Sequence, residues 1–142
     1  MTRAALRCFD TPTVGCGESF AFPLKGGPNA PVEARRTLLA RADGMPAAVR
    51  DDVLLLLTEL VTNAVCHAGV GPERSLETEV RKWPGWVRVE VTDPSTRATS
   101  FGARSDGDSK GGWGLFLVDQ IADRWGVRRT PTGTCVWFEV SV

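Results

Sequence analysis

Three polar side chains lie on one face of an otherwise apolar segment. Glu59, Asn63 and His67 are spaced four residues apart within Val53–Gly69, so they share one narrow stripe of a helix. Most of their neighbours are Leu, Val or Ala, and we therefore expect most of this helix to be buried. An unpaired carboxylate is costly to bury, asparagine offers a neutral oxygen suited to Mg²⁺, and glutamate can act as a general base. The stripe favours a cation, or a ligand that carries one, over a solvated polar face, whereas His67 is better explained by local hydrogen bonding.

A glycine-rich segment forms a candidate anion site. Gly111, Gly112 and Gly114 follow Lys110 at the point where a polar stretch gives way to an apolar helical pattern. Free N–H groups at a helix N-terminus attract anions, and glycine lets a phosphate approach the backbone closely. The spacing fits neither the P-loop nor the dinucleotide fingerprint. Taken alone, the segment is weak support for a phosphate site.

A third candidate is the carboxylate at the end of an alternating strand pattern. Asp93 follows Val87, Val89 and Val91 and directly precedes Pro94. By itself, an Asp before a proline is best explained as a turn residue. A buried carboxylate at a strand end could also accept a hydrogen bond from an exocyclic amine, and the residues alone leave both roles open.

Composition excludes several classes of protein. Seventeen Lys and Arg residues balance seventeen Asp and Glu residues among 142, a length that predicts one domain. This balance argues against a nucleic-acid binder that neutralises phosphates and against a polybasic membrane-surface protein. The sequence contains neither a membrane-spanning apolar run nor a stretch of signal-peptide length, so we expect a cytoplasmic location. One histidine and four scattered cysteines argue against a zinc site; reduced thiols are expected, with a Cys8–Cys16 disulfide left open.

Hydrophobic patterning predicts elements in the order β-α-α-β-β-α-β-β. The predicted strands cover residues 19–24, 76–83, 86–93, 127–129 and 134–142, and the predicted helices run from about 31 to 43, 46 to 68 and 114 to 125. We expect Val32, Leu38 and Leu39 to form the buried stripe of the first helix. The order indicates an α+β fold, a two-layer sandwich whose mixed, mostly antiparallel sheet is covered on one face by three helices.

The chain is expected to consist of a flexible N-terminal arm, residues 1–17, and one domain, residues 18–142. Within that domain, residues 94–111 are mainly Ser, Thr, Gly, Asp and Arg, with few side chains to bury. A polar stretch of this length inside a small domain is often a lid or a binding loop.

Together the three candidate segments resemble a known superfamily of ATPases. ELVTNAVCHA, the carboxylate at Asp93 and GGWGLFLVDQIADRWG resemble the N box, the first glycine box and the second glycine box of the proteins that include gyrase B, MutL and the sensor histidine kinases. The likeness runs from about Ser19 to the C-terminus. It is closest to the short, single-domain branch typified by bacterial anti-sigma-factor serine/threonine kinases.

The resemblance implies an ATP-binding sandwich with a flexible lid, and it assigns roles to individual residues. Glu59 would be the catalytic base, Asn63 would coordinate Mg²⁺, and Asp93 would hold the adenine amine with help from Thr134 through water. The glycines and Lys110 would cradle the phosphates. The implied ATP-binding residues are Asn63, Asp93, Lys110, Gly111, Gly112, Gly114, Leu115 and Thr134.

For function, the resemblance implies a kinase that sequesters a sigma factor and phosphorylates an anti-anti-sigma partner. Neither nucleic acid nor membrane would be contacted directly, and homodimers are common in this branch. The alternative is a partner-sequestering module, either ATP-binding and catalytically silent or independent of ATP. It is favoured by Ser95, which stands where the family usually has glycine, and by Trp113 within the second glycine box.

Overall fold

A computed structural model describes residues 17–94 and 109–142, without the side chains of residues 109–114. The elements are β1 (Glu18–Lys25), α1 (Ala30–Ala40), α2 (Ala47–Cys66), β2 (Ser75–Trp83), β3 (Trp86–Asp93), α3 (Ser109–Ile121), β4 (Arg124–Thr130) and β5 (Gly133–Ser141). The five strands form one sheet in the order β1-β2-β3-β5-β4, and all four pairings are antiparallel. The predicted α+β sandwich with three helices is confirmed. The predicted arm, apart from Gly17, and residues 95–108 of the predicted lid lie outside the described residues.

Alternating apolar residues and two short turns produce the sheet. β2 and β3 are joined by Pro84 and Gly85, and Gly85 has a φ of 100°, a left-handed conformation that favours glycine. The second hairpin joins β4 and β5 through Pro131 and Thr132. The sequence predicts strands at 76–83 and 86–93 and at 127–129 and 134–142, and the structure pairs each couple as a hairpin.

The core lies between the helices and one face of the sheet. Helix α2 contributes most of it, with Leu56, Leu57 and Leu60 almost fully buried, and its twenty residues span about 30 Å. They pack against sheet residues such as Val89 and Phe138. Helices α1 and α3 both contact α2. No helix within residues 17–94 and 109–142 has the length and hydropathy needed to cross a membrane.

The buried face of α1 differs from the predicted one. Val32 and Leu39 are 54% and 48% exposed, whereas Ala30, Ala34 and Leu38 are buried. The three buried residues are spaced four apart and include two alanines, so their face can approach its neighbours closely. The prediction followed residue hydrophobicity; it is confirmed for Leu38 and wrong for Val32 and Leu39, because small side chains set this contact.

The third helix is displaced toward the N-terminus from its predicted position. It begins at Ser109 instead of Gly114 and ends at Ile121 instead of Trp125. Trp125 lies in β4, opposite Phe138 of β5. The edge strand β4 is longer than predicted. Its pairing with β5 therefore includes Trp125, which the hydrophobic periodicity assigned to the end of the helix.

Charged residues occupy the sheet face that points away from the helices. The Arg88 guanidinium donates to Glu90 at 3.2 Å and to Glu139 at 2.6 Å, and all three side chains are buried. Arg124 adds a 2.8 Å bond to Glu139, and Arg88 lies 4.0 Å from the ring centre of Trp137. A buried network of this kind joins β3, β4 and β5 and fixes their alignment, but it tolerates the loss of a partner poorly.

The network generates a stability prediction. Arg88→Met should lower the free energy of unfolding by about 3 kcal/mol, because it leaves the buried carboxylates of Glu90 and Glu139 without the cation they share. The matched control is Arg36→Met, which removes an exposed pair with Glu33 and should cost less than about 1 kcal/mol. Denaturant titration followed by tryptophan fluorescence measures both, and equal losses would contradict the role of the network.

A carboxylate near the end of β5 makes stability depend on pH. Asp123 accepts hydrogen bonds from the Ser141 hydroxyl at 2.7 Å and the Ser141 backbone N–H at 2.6 Å, and these bonds lower the pKa of Asp123. A lowered folded-state pKa adds stability above the unfolded pKa, near pH 4, and this contribution disappears as the pH falls through the folded value. Asp123→Asn should therefore be less stable than the original protein at pH 6, and the gap should narrow below about pH 4. A gap that is constant from pH 6 to pH 2 in denaturant titrations would contradict this assignment.

Candidate functional site

Helix α2 places its polar stripe at the edge of the core, and the stripe is not uniformly buried. Glu59 is half-buried, Asn63 is buried at 5% exposure, and His67 is exposed at the helix end. Of the three stripe residues, only Asn63 is fully buried, within a helix whose apolar residues are mostly buried as expected. Among the described residues no arginine or lysine forms an ion pair with Glu59. Its carboxylate remains available to groups outside the core.

Asn63 carries an amide that the described fold does not satisfy. Its Nδ2 is buried and has no hydrogen-bond partner among the described residues. Leaving such a group unpaired costs about 1–3 kcal/mol, so the position calls for a partner from beyond the described residues. Rotating the amide by about 180° would place its carbonyl oxygen at the same position. In that orientation the side chain can accept a hydrogen bond from a donor or bind a cation.

Asp93 and Thr134 lie opposite each other where β3 ends and β5 begins. The two residues are register partners, and both are 2% exposed. Gly133 makes this close pairing feasible, because a Cβ at that position would overlap the carbonyl oxygen of Asp93. The strand ends therefore present a carboxylate and a hydroxyl side by side on the helix-facing side of the sheet.

The fold brings the helix stripe and the strand ends to the same end of the sheet. Helix α2 packs against β3 and β5, the strands that carry the carboxylate and the hydroxyl. The helix stops before Gly69, whose φ is 70°, as the sequence predicted, and a short loop leads to the start of β2. In that loop the Arg74 guanidinium donates to the carbonyl of Pro94 at 3.3 Å. The end of α2, the start of β2 and the end of β3 are thereby held together.

The glycine-rich segment lies inside helix α3 and not in front of it. Gly111, Gly112 and Gly114 occupy the first two turns of this helix, which contacts α2. The side chain of Lys110 lies outside the described residues. Leu115 is buried in the core at 3% exposure, so its contact with a ligand remains a prediction.

Comparison with protein families identifies the domain. A model of the histidine kinase-like ATPase domain matches residues 29–140, which extend from the residue before α1 to the penultimate residue of β5. The chain belongs to this family. The matched region contains every site residue predicted from the sequence. A search of curated proteins finds no match.

Family membership implies that the domain binds ATP and suggests a regulatory function. The resemblance also implies Mg²⁺, and the residues of the site can be compared with the ligands that this ion needs. The described residues, 17–94 and 109–142, contain no group of three or more His, Cys, Asp and Glu side chains that could hold a metal ion. Mg²⁺ bound with nucleotides commonly takes only one or two protein ligands, the rest being waters and phosphates. The unsatisfied amide of Asn63 fits such a ligand, and ion binding there stays a prediction.

Sequence reasoning missed two residues that shape the site. No role was predicted for Gly133, although a glycine next to a Thr on a buried strand can mark a close backbone approach. Arg74 lies in a loop with no recognisable pattern, and nothing in the sequence connects it with Pro94. Cys66 and Cys135 form no disulfide within the described residues, and Cys8 and Cys16 lie outside them.

Asn63 gives a direct test of the site. Asn63→Ala should weaken Mg²⁺–ATP binding at least about tenfold, because hydrogen bonds or ligation to charged groups are worth more than neutral ones. The control is Asn29→Ala, which removes the other asparagine of the chain, an exposed residue with no side-chain cap bond. Calorimetric titration measures both affinities, and the same loss in the two variants would remove Asn63 from the site.

Proposed function

We propose that this protein is an ATP-dependent serine/threonine kinase of the anti-sigma-factor type. It would bind a sigma factor and phosphorylate a serine of an anti-anti-sigma partner. The observation that carries the proposal is the unsatisfied amide of Asn63, one helical turn from the half-buried carboxylate of Glu59. Both lie on the helix that covers the strands bearing Asp93 and Thr134.

Binding of the nucleotide would divide between the strands and the helices. Asp93 accepts a hydrogen bond from the exocyclic amine of adenine, and Thr134 stands beside it to support the same edge of the base. Asn63 is the residue that would hold Mg²⁺, which when bound neutralises part of the phosphate charge. Lys110 would contribute a flexible cation to the phosphates, and Gly111 and Gly112, in the first turn of α3, would contribute free N–H groups. Gly114, in the second turn, would let the phosphates approach the backbone closely.

Glu59 would act as the general base of the transfer. Its carboxylate takes the proton of the partner's serine hydroxyl while the serine oxygen forms a bond to the γ-phosphorus and the bond from that phosphorus to the β–γ bridging oxygen breaks. ADP leaves, and phosphoserine remains on the partner. Most of the rate in such reactions comes from positioning and electrostatics, with general-base catalysis adding about 10²–10⁴-fold. Glu59 suits this role because it is half-buried and forms no ion pair within the described residues.

The choice of partners rests on the resemblance of ELVTNAVCHA and GGWGLFLVDQIADRWG to the anti-sigma branch. The balanced charge of the chain is consistent with protein partners, since a nucleic-acid partner would call for a basic surplus.

A second candidate keeps the nucleotide site without catalysis. In it the domain sequesters its partner with or without ATP and transfers no phosphate. Ser95 in place of the usual glycine, after the rigid Pro94, supports this candidate, because the backbone there should curve around the base.

Phosphoryl transfer separates the two candidates. The protein should pass the γ-phosphate of labelled ATP to a serine of a candidate anti-anti-sigma protein. Glu59→Gln should reduce that transfer at least about a hundredfold while ATP affinity stays within about threefold, because only the base is lost. The control is Asp51→Asn, an exposed carboxylate near the start of the same helix, which should leave the rate unchanged.

Two results would contradict the kinase proposal. If the original protein binds ATP but transfers nothing to any candidate partner, the catalytically silent module stands in its place. If Glu59→Gln transfers phosphate as fast as the original protein, the reaction does not use this carboxylate as its base.

A further inference from the structure

In addition to the amide nitrogen of Asn63, a second buried polar atom has no hydrogen-bond partner among the described residues. The hydroxyl oxygen of Thr78 belongs to a side chain that is 1% exposed, and it has no hydrogen-bond partner among the described residues. These two atoms are the only buried side-chain nitrogens or oxygens left without one in residues 17–94 and 109–142. One of them already belongs to the candidate nucleotide site.

Thr78 lies on the helix-facing side of β2, close to the residue expected to bind adenine. It alternates with the buried Leu76 and Val80, and its register partner on β3 is Val91, two residues before Asp93. Diagonal neighbours on one face of an antiparallel pair are about 7–8 Å apart. Thr78 and Asp93 are therefore separated by roughly the width of a purine on a shared face of the sheet.

The position of Thr78 within the sheet indicates which part of a nucleotide it would meet. β2 lies on the β1 side of β3, whereas helix α3, with its glycine-rich turns, contacts β4 at the opposite edge of the sheet. Phosphates held by α3 and by Asn63 would lie on the far side of Asp93 from Thr78. The hydroxyl thus belongs to the end of the site where the base would sit.

Packing alone does not explain why residue 78 is a threonine. Valine has the same shape, suits a buried strand and carries no hydroxyl to desolvate. The neighbouring inward positions, Leu76, Val80 and Val91, are indeed apolar. A hydroxyl among them that is unpaired within the described residues calls for a partner from beyond those residues.

We infer that Thr78 is a further base-binding residue of the nucleotide site. Its hydroxyl donates a hydrogen bond to a ring nitrogen of the purine, directly or through one water, beside the bond that Asp93 accepts from the amine. This inference rests on the proposed function, because it requires the nucleotide to lie between α2 and the ends of β3 and β5. It extends the site to β2, which contributes no residue to the predicted set.

The experiment compares three variants by calorimetric titration with ADP and with ATP, each with and without Mg²⁺. Thr78→Val should weaken binding about three- to tenfold, the value of one hydrogen bond, and by the same factor under all four conditions, because the base is common to them. Thr78→Ser keeps the hydroxyl and should stay within about twofold. Thr92→Val is the matched control, since Thr92 is a half-buried threonine on the opposite face of β3, and it should also stay within about twofold.

A stability measurement separates base binding from a structural role. Without nucleotide, Thr78→Val should melt at the same temperature as the original protein or higher, because it removes an unsatisfied buried hydroxyl. A lower melting temperature would mean that the hydroxyl is paired inside the fold and would overturn the inference. Unchanged affinity in Thr78→Val, with the original protein binding normally, would overturn this inference alone. Absence of binding by the original protein would overturn the proposed function and this inference with it.

Discussion

The site depends on helix α2 lying across strands β3 and β5 with the amide of Asn63 sealed beneath it. An apolar helix can bury its length against a sheet without any polar group, so the amide is retained at a cost. In the proposed function, a ligand that enters between the helix and the strand ends offsets that cost. The pairing of Asp93 with Thr134, made close by Gly133, and the tie between Arg74 and Pro94 keep the receiving surface in place.

The two faces of the sheet carry different kinds of side chains. The helix-facing side is mainly apolar, with buried polar side chains at Thr78 and near the ends of β3 and β5. The opposite side carries the network centred on Arg88, in which buried charges satisfy one another. Strand alignment therefore draws on paired charges on one face, and the proposed nucleotide site lies on the other. Membership of the histidine kinase-like ATPase family implies ATP binding.

Much of this arrangement is predictable from local sequence patterns. The alternation around Val87–Val91, the turn at Pro84 and Gly85, and the apolar run ending at Gly69 are strong short-range signals, and each element lies where it was predicted. The buried face of α1 and the ends of α3 are not predictable in this way, since close packing of alanines and pairing of an edge strand depend on distant parts of the chain. The importance of Thr78 is also invisible locally. A threonine is ordinary in a strand, and only the three-dimensional structure shows that its hydroxyl is buried with no hydrogen-bond partner in the part of the chain that the structure describes.

A crystal structure of the protein grown with ADP and Mg²⁺ tests the central claim most directly. The account predicts density for the base against Asp93 and for the phosphates beside Asn63, with Glu59 facing the open end. Another cavity, about 550 Å³ and lined in part by Lys25, Asn29 and Thr37, lies between β1 and α1. Nucleotide bound there, with the amide of Asn63 still unoccupied, would contradict the account.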